Sequence, residues 1–243
     1  MSHRQNHRGP GPKDQRLFAP ARQPVLHQAL ADLCWLLNRG YALRSAVDLV
    51  GNRYALVSRQ RMAIMRCACS DRGVARRREH EVTPGALRGQ VVWLDGYNVL
   101  TILEAAYAGG IILVGRDGCC RDILGVHRRY RKVEETFPVL ALLGRLTTAW
   151  GVTGLRWCLD QPVSNSGRLK ALLGEAAAAA GWNWEIELAL NADRVLAQSR
   201  EIVASSDAAI LDRCERWVNL ARLAITIEIP QARLLDLSNL TKM

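Results

Sequence analysis

Four aspartates in the later part of the chain occupy comparable places, each closing or soon following a short apolar run. Asp95 directly follows VVWL and Asp160 directly follows LRWCL. Asp193 lies in the NAD turn after WEIELAL, and Asp207 follows EIVASS. A single aspartate at such a point is commonly a helix N-cap, accepting hydrogen bonds from free backbone N–H groups at the positive end of the dipole. Four brought to one place repel one another and raise one another's pKa unless a cation sits among them. An oxygen-only donor set suits Mg²⁺ or Mn²⁺. Such an ion can activate water and neutralise charge on a phosphoryl group, so Asp95, set at a strand end beside Gly96, is the first candidate ligand.

The elements that must position these carboxylates are legible as alternating apolar runs and amphipathic stretches. The pattern predicts strands at 91–94, 111–115, 155–159, 184–190 and 201–204, with 234–237 at an edge, and helices at about 98–108, 123–149, 166–181 and 207–222. Such alternation argues for an α/β fold whose mostly parallel sheet is covered on both faces. Ligands in such a sheet bind outside the carboxyl ends of the strands, where all four aspartates fall.

Upstream, VLHQALADLCWLLNRG places apolar residues at helical spacing, and two further helices are expected at 44–50 and 58–69. The chain thus divides into a disordered basic arm at 1–24, a small all-α module at 25–70, a linker at 71–90 and an α/β domain at 91–243. Arg53, Arg59, Arg61 and Arg66 invite a helix-turn-helix reading with Ser58 as N-cap, although Gly51 stands one place late for its turn.

Taken together, DGYN after a strand, a strand ending in Asp (LDQPVSNS), the Ala-Asp pair of NADRVL and the SSD of ASSDAAILDR resemble the NYN branch of the PIN-like nuclease superfamily over residues 91–240. The layout with a helical basic N-terminal module is similar to that of an uncharacterised prokaryotic family built on that domain. The resemblance implies a three-layer α/β/α sandwich that cuts RNA with Mg²⁺ or Mn²⁺. Residue by residue it implies Asp95, Asp160, Asp193 and Asp207 as catalytic metal ligands and Asn98 as their polar partner. Asp212, further along the same helix as Asp207, is an additional candidate ligand. Many relatives carry Glu in the turn of the Ala-Asp pair, where this chain has Leu190 and Asn191, which implies a weaker site or a single ion.

Candidate nucleic-acid contacts surround the acids. The segment SNSGRLK supplies Ser164, Asn165, Ser166, Arg168 and Lys170 at a helix N-terminus, where backbone N–H groups favour a phosphate; an ordinary Ser164 cap is the plainer alternative. Arg116 and Arg121 follow the second strand, Tyr130 offers a ring for base stacking, and His127 is a candidate general base. Arg76, Arg77 and Arg78 on the expected linker are further phosphate contacts.

The charge is one-sided. Residues 1–90 hold 16 basic against 6 acidic residues and 91–243 hold 17 against 17, so the whole excess of +10 lies in the first part, as expected of a module that meets a polyanion. No apolar run approaches the roughly 18 residues of a membrane helix, and MSHRQNHRGPGPKDQR has no signal-peptide core, which predicts a cytoplasmic protein. Seven scattered cysteines, with Cys67-x-Cys69 and adjacent Cys119-Cys120 but no C-x-x-C, predict buried thiols and neither a disulfide framework nor thiolate zinc. The leading expectation is a metal-dependent ribonuclease acting on single-stranded or structured RNA. The alternative is a non-catalytic RNA- or DNA-binding protein with the same domain; a DNA-binding regulator would require a homodimer.

Overall fold

The computed structural model of the protein describes residues 7–123 and 130–239. Its N-terminal part comprises α1 (Asp14–Leu17), α2 (Gln23–Asn38), α3 (Leu43–Arg53), α4 (Ser58–Cys67) and α5 (Asp71–His80). Leu26, Ala29, Leu30 and Leu33 line the buried stripe of α2, against which α3 and α4 pack. Two expectations fail here. The described part of the 1–24 arm is ordered rather than disordered, because Phe18 enters the core, Asp14 pairs with Arg59, and Gln60 Nε2 donates to Leu17 O at 2.9 Å. The expected linker opens with α5, capped by Ser70 Oγ accepting from the Gly73 N–H at 3.1 Å and anchored by the buried Arg77. Val82 N–H then donates to Trp217 O at 2.8 Å, so even the connection is pinned to the following domain.

That domain runs β1 (Val91–Asp95), α6 (Gly96–Tyr107), β2 (Ile111–Val114), β3 (Cys120–Asp122), α7 (Thr136–Ala149), β4 (Gly154–Asp160), α8 (Ser166–Ala180), β5 (Trp184–Ala189), α9 (Ala192–Ala197), β6 (Ile202–Ala204), α10 (Ala208–Leu211), β7 (Arg216–Val218), α11 (Leu220–Glu228) and β8 (Arg233–Asp236). A five-stranded, all-parallel sheet in the order β5-β4-β1-β6-β7 is flanked by helices, the α/β/α architecture expected. Strand β1 is central, and Leu94 and Trp157 are fully buried in the sheet core.

Strand β2 leaves the main sheet for a second one, β3-β2-β8, antiparallel to β3 and parallel to β8. Its pleat serves two cores: Ile111 and Leu113 pack with the N-terminal helices, whereas Ile112 and Val114 pack with the α/β domain. The helical module therefore shares a core with the strands rather than hanging from a tether. Two helix expectations are corrected. Of the helix expected over 123–149, residues 124–129 lie outside the described residues, residues 130–135 are not helical, and α7 covers Thr136–Ala149. The helix expected over 207–222 splits, because Trp217 and Val218 are buried as β7 beside β6. No helix among the described residues is long and apolar enough to cross a membrane. All seven cysteines are free and buried.

Candidate active site

The parallel topology gathers three strand ends at one edge. β4 and β6 flank β1, so Asp160 and the Ser205-Ser206-Asp207 turn lie either side of Asp95, and α9 after β5 adds Asp193. The four aspartates expected as ligands line one cleft of about 400 Å³, together with Asn98, Tyr97 and Ser206. Its opposite wall is built from the N-terminal module, with Leu43 at the start of α3 and Met65, Arg66 and Ala68 at the end of α4. Arg121 and Asp122 of β3 complete it.

Three of the four carboxylates accept a backbone N–H from further along the chain. Asp95 caps α6, accepting from Asn98 N–H at 3.4 Å, and its other oxygen accepts from Ser205 Oγ at 2.7 Å. Asp160 accepts from Ala192 N–H at 2.9 Å, tying the end of β4 to the start of α9. Asp207 caps α10 through Ala209 N–H at 2.7 Å, while its own N–H donates to Ser205 Oγ at 3.0 Å. Asn98 Oδ1 accepts from Ser206 N–H at 2.9 Å, so the amide fixes the turn that carries Asp207. The cap reading and the ligand reading of these aspartates are therefore compatible, since one lone pair caps and others face the cleft.

Asp95 is only 8% exposed, and burial pushes its carboxyl up to about 7, aided by Asp193 and Asp207 and opposed by the Ser205 and Asn98 hydrogen bonds. Asp193 is also raised, first by burial and then by Asp207 and Asp160. The nearby cations do not relieve this repulsion. Arg121 spends its guanidinium on Asp117, at 2.8 and 2.6 Å, and on Ser206 O at 2.9 Å. Arg66 Nη1 donates to Asp122 O at 2.7 Å and to its carboxylate at 3.0 Å. An unrelieved cluster of oxygen donors without His or Cys fits a hard divalent cation. Among the described residues no three His, Cys, Asp or Glu side chains form a group arranged to hold an ion.

Other expected site residues are placed elsewhere. Asp212 is bound by Arg77, at 2.8 and 3.0 Å, outside the cleft lining. Arg77 also pairs with Asp117, and Arg76 Nε donates to Asp212 O at 2.6 Å, so both fasten α5 to the domain; Arg78 stays exposed. Arg116 pairs with Asp71 and donates to Cys69 O at 2.7 Å. Arg53, Arg59 and Arg61 pair with Asp32, Asp14 and Asp48, and Val57 rather than Ser58 precedes α4 as its N-cap, so these arginines brace helices instead of lining a recognition face. Tyr130 is buried, donating to Glu104 Oε1 at 2.6 Å, which excludes base stacking. Ser164 is exposed, and its carbonyl accepts from Tyr130 N–H at 3.3 Å. Asn165, left-handed at φ 73°, donates to Tyr130 O, and Ser166 Oγ donates to Gln161 O. Arg168 and Lys170 are exposed and make no ion pair among the described residues. His127 lies outside the described residues.

Sequence reasoning passed over Tyr97, Ser205 and the module wall. Ser205 was signalled by its place in the SSD triplet, and Tyr97 by standing inside DGYN. Nothing local marks Leu43 or Met65, which reach the cleft only through tertiary packing.

The geometry can be set beside known proteins. A family model described as Domain of unknown function (DUF5616) matches residues 84–223, and one described as Protein of unknown function (DUF434) matches residues 25–80. The two matches meet just after α5, where the helices give way to the α/β domain. An uncharacterized protein of Methanocaldococcus jannaschii is 30% identical over 186 residues, covering 76% of this chain and 88% of that protein. No solved structure matches.

Proposed function

We propose that this chain, which belongs to the DUF5616 family, is a metal-dependent ribonuclease of PIN-like type that hydrolyses phosphodiester bonds in RNA at the Asp95 cleft. The observation that carries the reading is the cleft in which four carboxylates meet and in which burial, with Asp193 and Asp207 beside it, pushes Asp95 up to about 7 while both nearby arginines are already spent. A bound Mg²⁺ or Mn²⁺ would supply an activated water and neutralise charge on the phosphoryl group. Asp95, Asp160, Asp193 and Asp207 are the residues that would hold it. Ser205 steadies the Asp95 carboxylate, and Asn98 steadies the Asp207 turn through Ser206. Leu43, Met65 and Ala68 of the module wall close one side of the cleft.

The test is labelled single-stranded RNA incubated with Mn²⁺, with EDTA, and with the Asp95→Asn variant. Cleavage confined to the first condition is expected. Cleavage that survives EDTA or the substitution refutes the mechanism, and salt-sensitive binding with no turnover under any condition favours the non-catalytic RNA-binding alternative.

A further inference from the structure

Both arginines in the cleft lining are already bound, Arg121 to Asp117 and Arg66 to Asp122. A strand passing through must therefore find cations for its flanking phosphates outside. Residues 38–45, from the end of α2 into the first turn of α3, are exposed without a break and carry Arg39 and Arg44 with no acidic residue among them. Leu43, 40% exposed, belongs to this run and also lines the cleft, so the two surfaces are continuous. The start of α5 lies beside the run: Asn38 Nδ2 donates to Asp71 Oδ2 at 2.9 Å, and Asn38 Oδ1 accepts from Asp71 N–H at 2.7 Å. Arg116 pairs with Asp71, while Arg72, next in the chain, is exposed. Neither the Arg44 nor the Arg72 side chain makes a hydrogen bond or ion pair among the described residues. Each is the second residue of its helix, near the positive end of the dipole, where a cation opposes the helix rather than supporting it. Tyr41 N–H donates to Leu36 O at 3.2 Å, which holds the residue at the end of α2. Its side chain is 54% exposed and makes no hydrogen bond or ring contact among the described residues. An exposed ring beside unpaired arginines suits a single strand, with base on ring and phosphate on guanidinium. A duplex keeps its bases stacked inside.

We infer that the turn between α2 and α3, with the start of α5 beside it, is a single-stranded RNA-binding surface continuous with the cleft, where Tyr41 stacks a base and Arg44 and Arg72 contact phosphates. The inference rests on the ribonuclease reading for the strand's onward path into the cleft. The contacts themselves need neither a metal ion nor turnover.

The test compares Tyr41→Ala, Tyr41→Phe and the Arg44→Gln/Arg72→Gln double variant. Affinity for a labelled single-stranded RNA is measured over a series of salt concentrations with all proteins also carrying Asp95→Asn, in Mn²⁺ and in EDTA, so that neither cleavage nor an ion at Asp95 enters the comparison. Mn²⁺-dependent cleavage is followed on the same changes with Asp95 intact. Tyr41→Ala is expected to weaken binding roughly 5-fold or more, equally in Mn²⁺ and in EDTA, while Tyr41→Phe binds as the parent does. The double variant should flatten the dependence of log affinity on log salt by about 0.7 for each arginine removed. With Asp95 intact, KM should rise and kcat should hold. If RNA is cut but the surface variants bind and cut as the parent does, the inference is overturned and the ribonuclease reading stands. If nothing is cut but the variants bind more weakly, the ribonuclease reading fails and the inference holds. A parent protein that binds no RNA overturns the inference whatever is cut. Polyphosphate, which has no bases, is the competitor: if it displaces the RNA and Tyr41→Ala changes nothing, the surface is a general polyanion site and the inference is overturned.

Discussion

Asp95→Asn should make the metal-free protein more stable, an unusual outcome for a substitution at a buried hydrogen-bonded residue. The rise of the Asp95 carboxyl from its usual 3.8 to about 7 means that the folded state disfavours its charge. A folded pKa above the unfolded one gives stability that is fully present below the unfolded value and is lost as pH rises through the folded value. Above about pH 8 the whole difference is lost, on the order of 4 kcal/mol at roughly 1.4 kcal/mol per pKa unit. Asparagine removes the charge and can still accept from Asn98 N–H and donate to Ser205 Oγ. Allowing for imperfect replacement, on the order of 2 kcal/mol is recovered, and in a chain of this size that raises the melting temperature by about 4–8 °C. Thermal melts in EDTA, at about pH 8.5 and about pH 5, are the assay. The gap should be wide at the first and shrink by more than half at the second, where wild-type Asp95 is protonated. A variant that melts at or below wild type at the higher pH, or a gap that ignores pH, refutes the electrostatic reasoning.

Asp117→Asn leaves the buried guanidinium of Arg121 without a carboxylate and that of Arg77 with Asp212 alone, and should lower the free energy of unfolding by about 3–5 kcal/mol in urea titrations; burial alone would raise the Asp117 carboxyl, but these two arginines hold it well below the usual carboxylate range. Gly96→Ala would set a Cβ 2.5 Å from Leu159 Cδ2 and 3.1 Å from Cys158 O, so overpacking should cost about 1–3 kcal/mol by the same measurement. Arg8→Ala leaves the fully buried Glu104 carboxylate without its Arg8 counter-charge, with Tyr130 and Thr136 as its remaining donors among the described residues. Glu104 is already raised by burial, so the loss in melting temperature should grow as pH rises from about 5 to about 8.

The aspartates were legible because their signal is local: a carboxylate at the end of an apolar run needs only a parallel sheet to bring it to the shared edge. The helices at 25–38 and 166–181 and the longer strands were legible for the same reason, since periodicity is written within each segment. What escaped depends on partners distant in the chain. Arg77 looks solvated beside Arg76 and Arg78, and only Asp117 and Asp212 make it an anchor. Asp212 looks like a ligand one turn past Asp207 until Arg77 claims it. Tyr130 looks available in a basic loop until Glu104, a carboxylate on the inner side of α6, binds it. β3 and β7 span three residues each, too short for alternation to show, and are strands only because β2 and β6 are beside them.

The central claim, that carboxylates remote in sequence meet to hold a divalent cation, is tested most directly by crystals soaked in Mn²⁺ and measured for anomalous scattering. The account predicts a peak in the cleft between Asp95 and its three companions, with water completing its shell, and no such peak in Asp95→Asn crystals. Well-ordered crystals that leave these four side chains without an anomalous peak, or that bind Mn²⁺ only elsewhere, would contradict it.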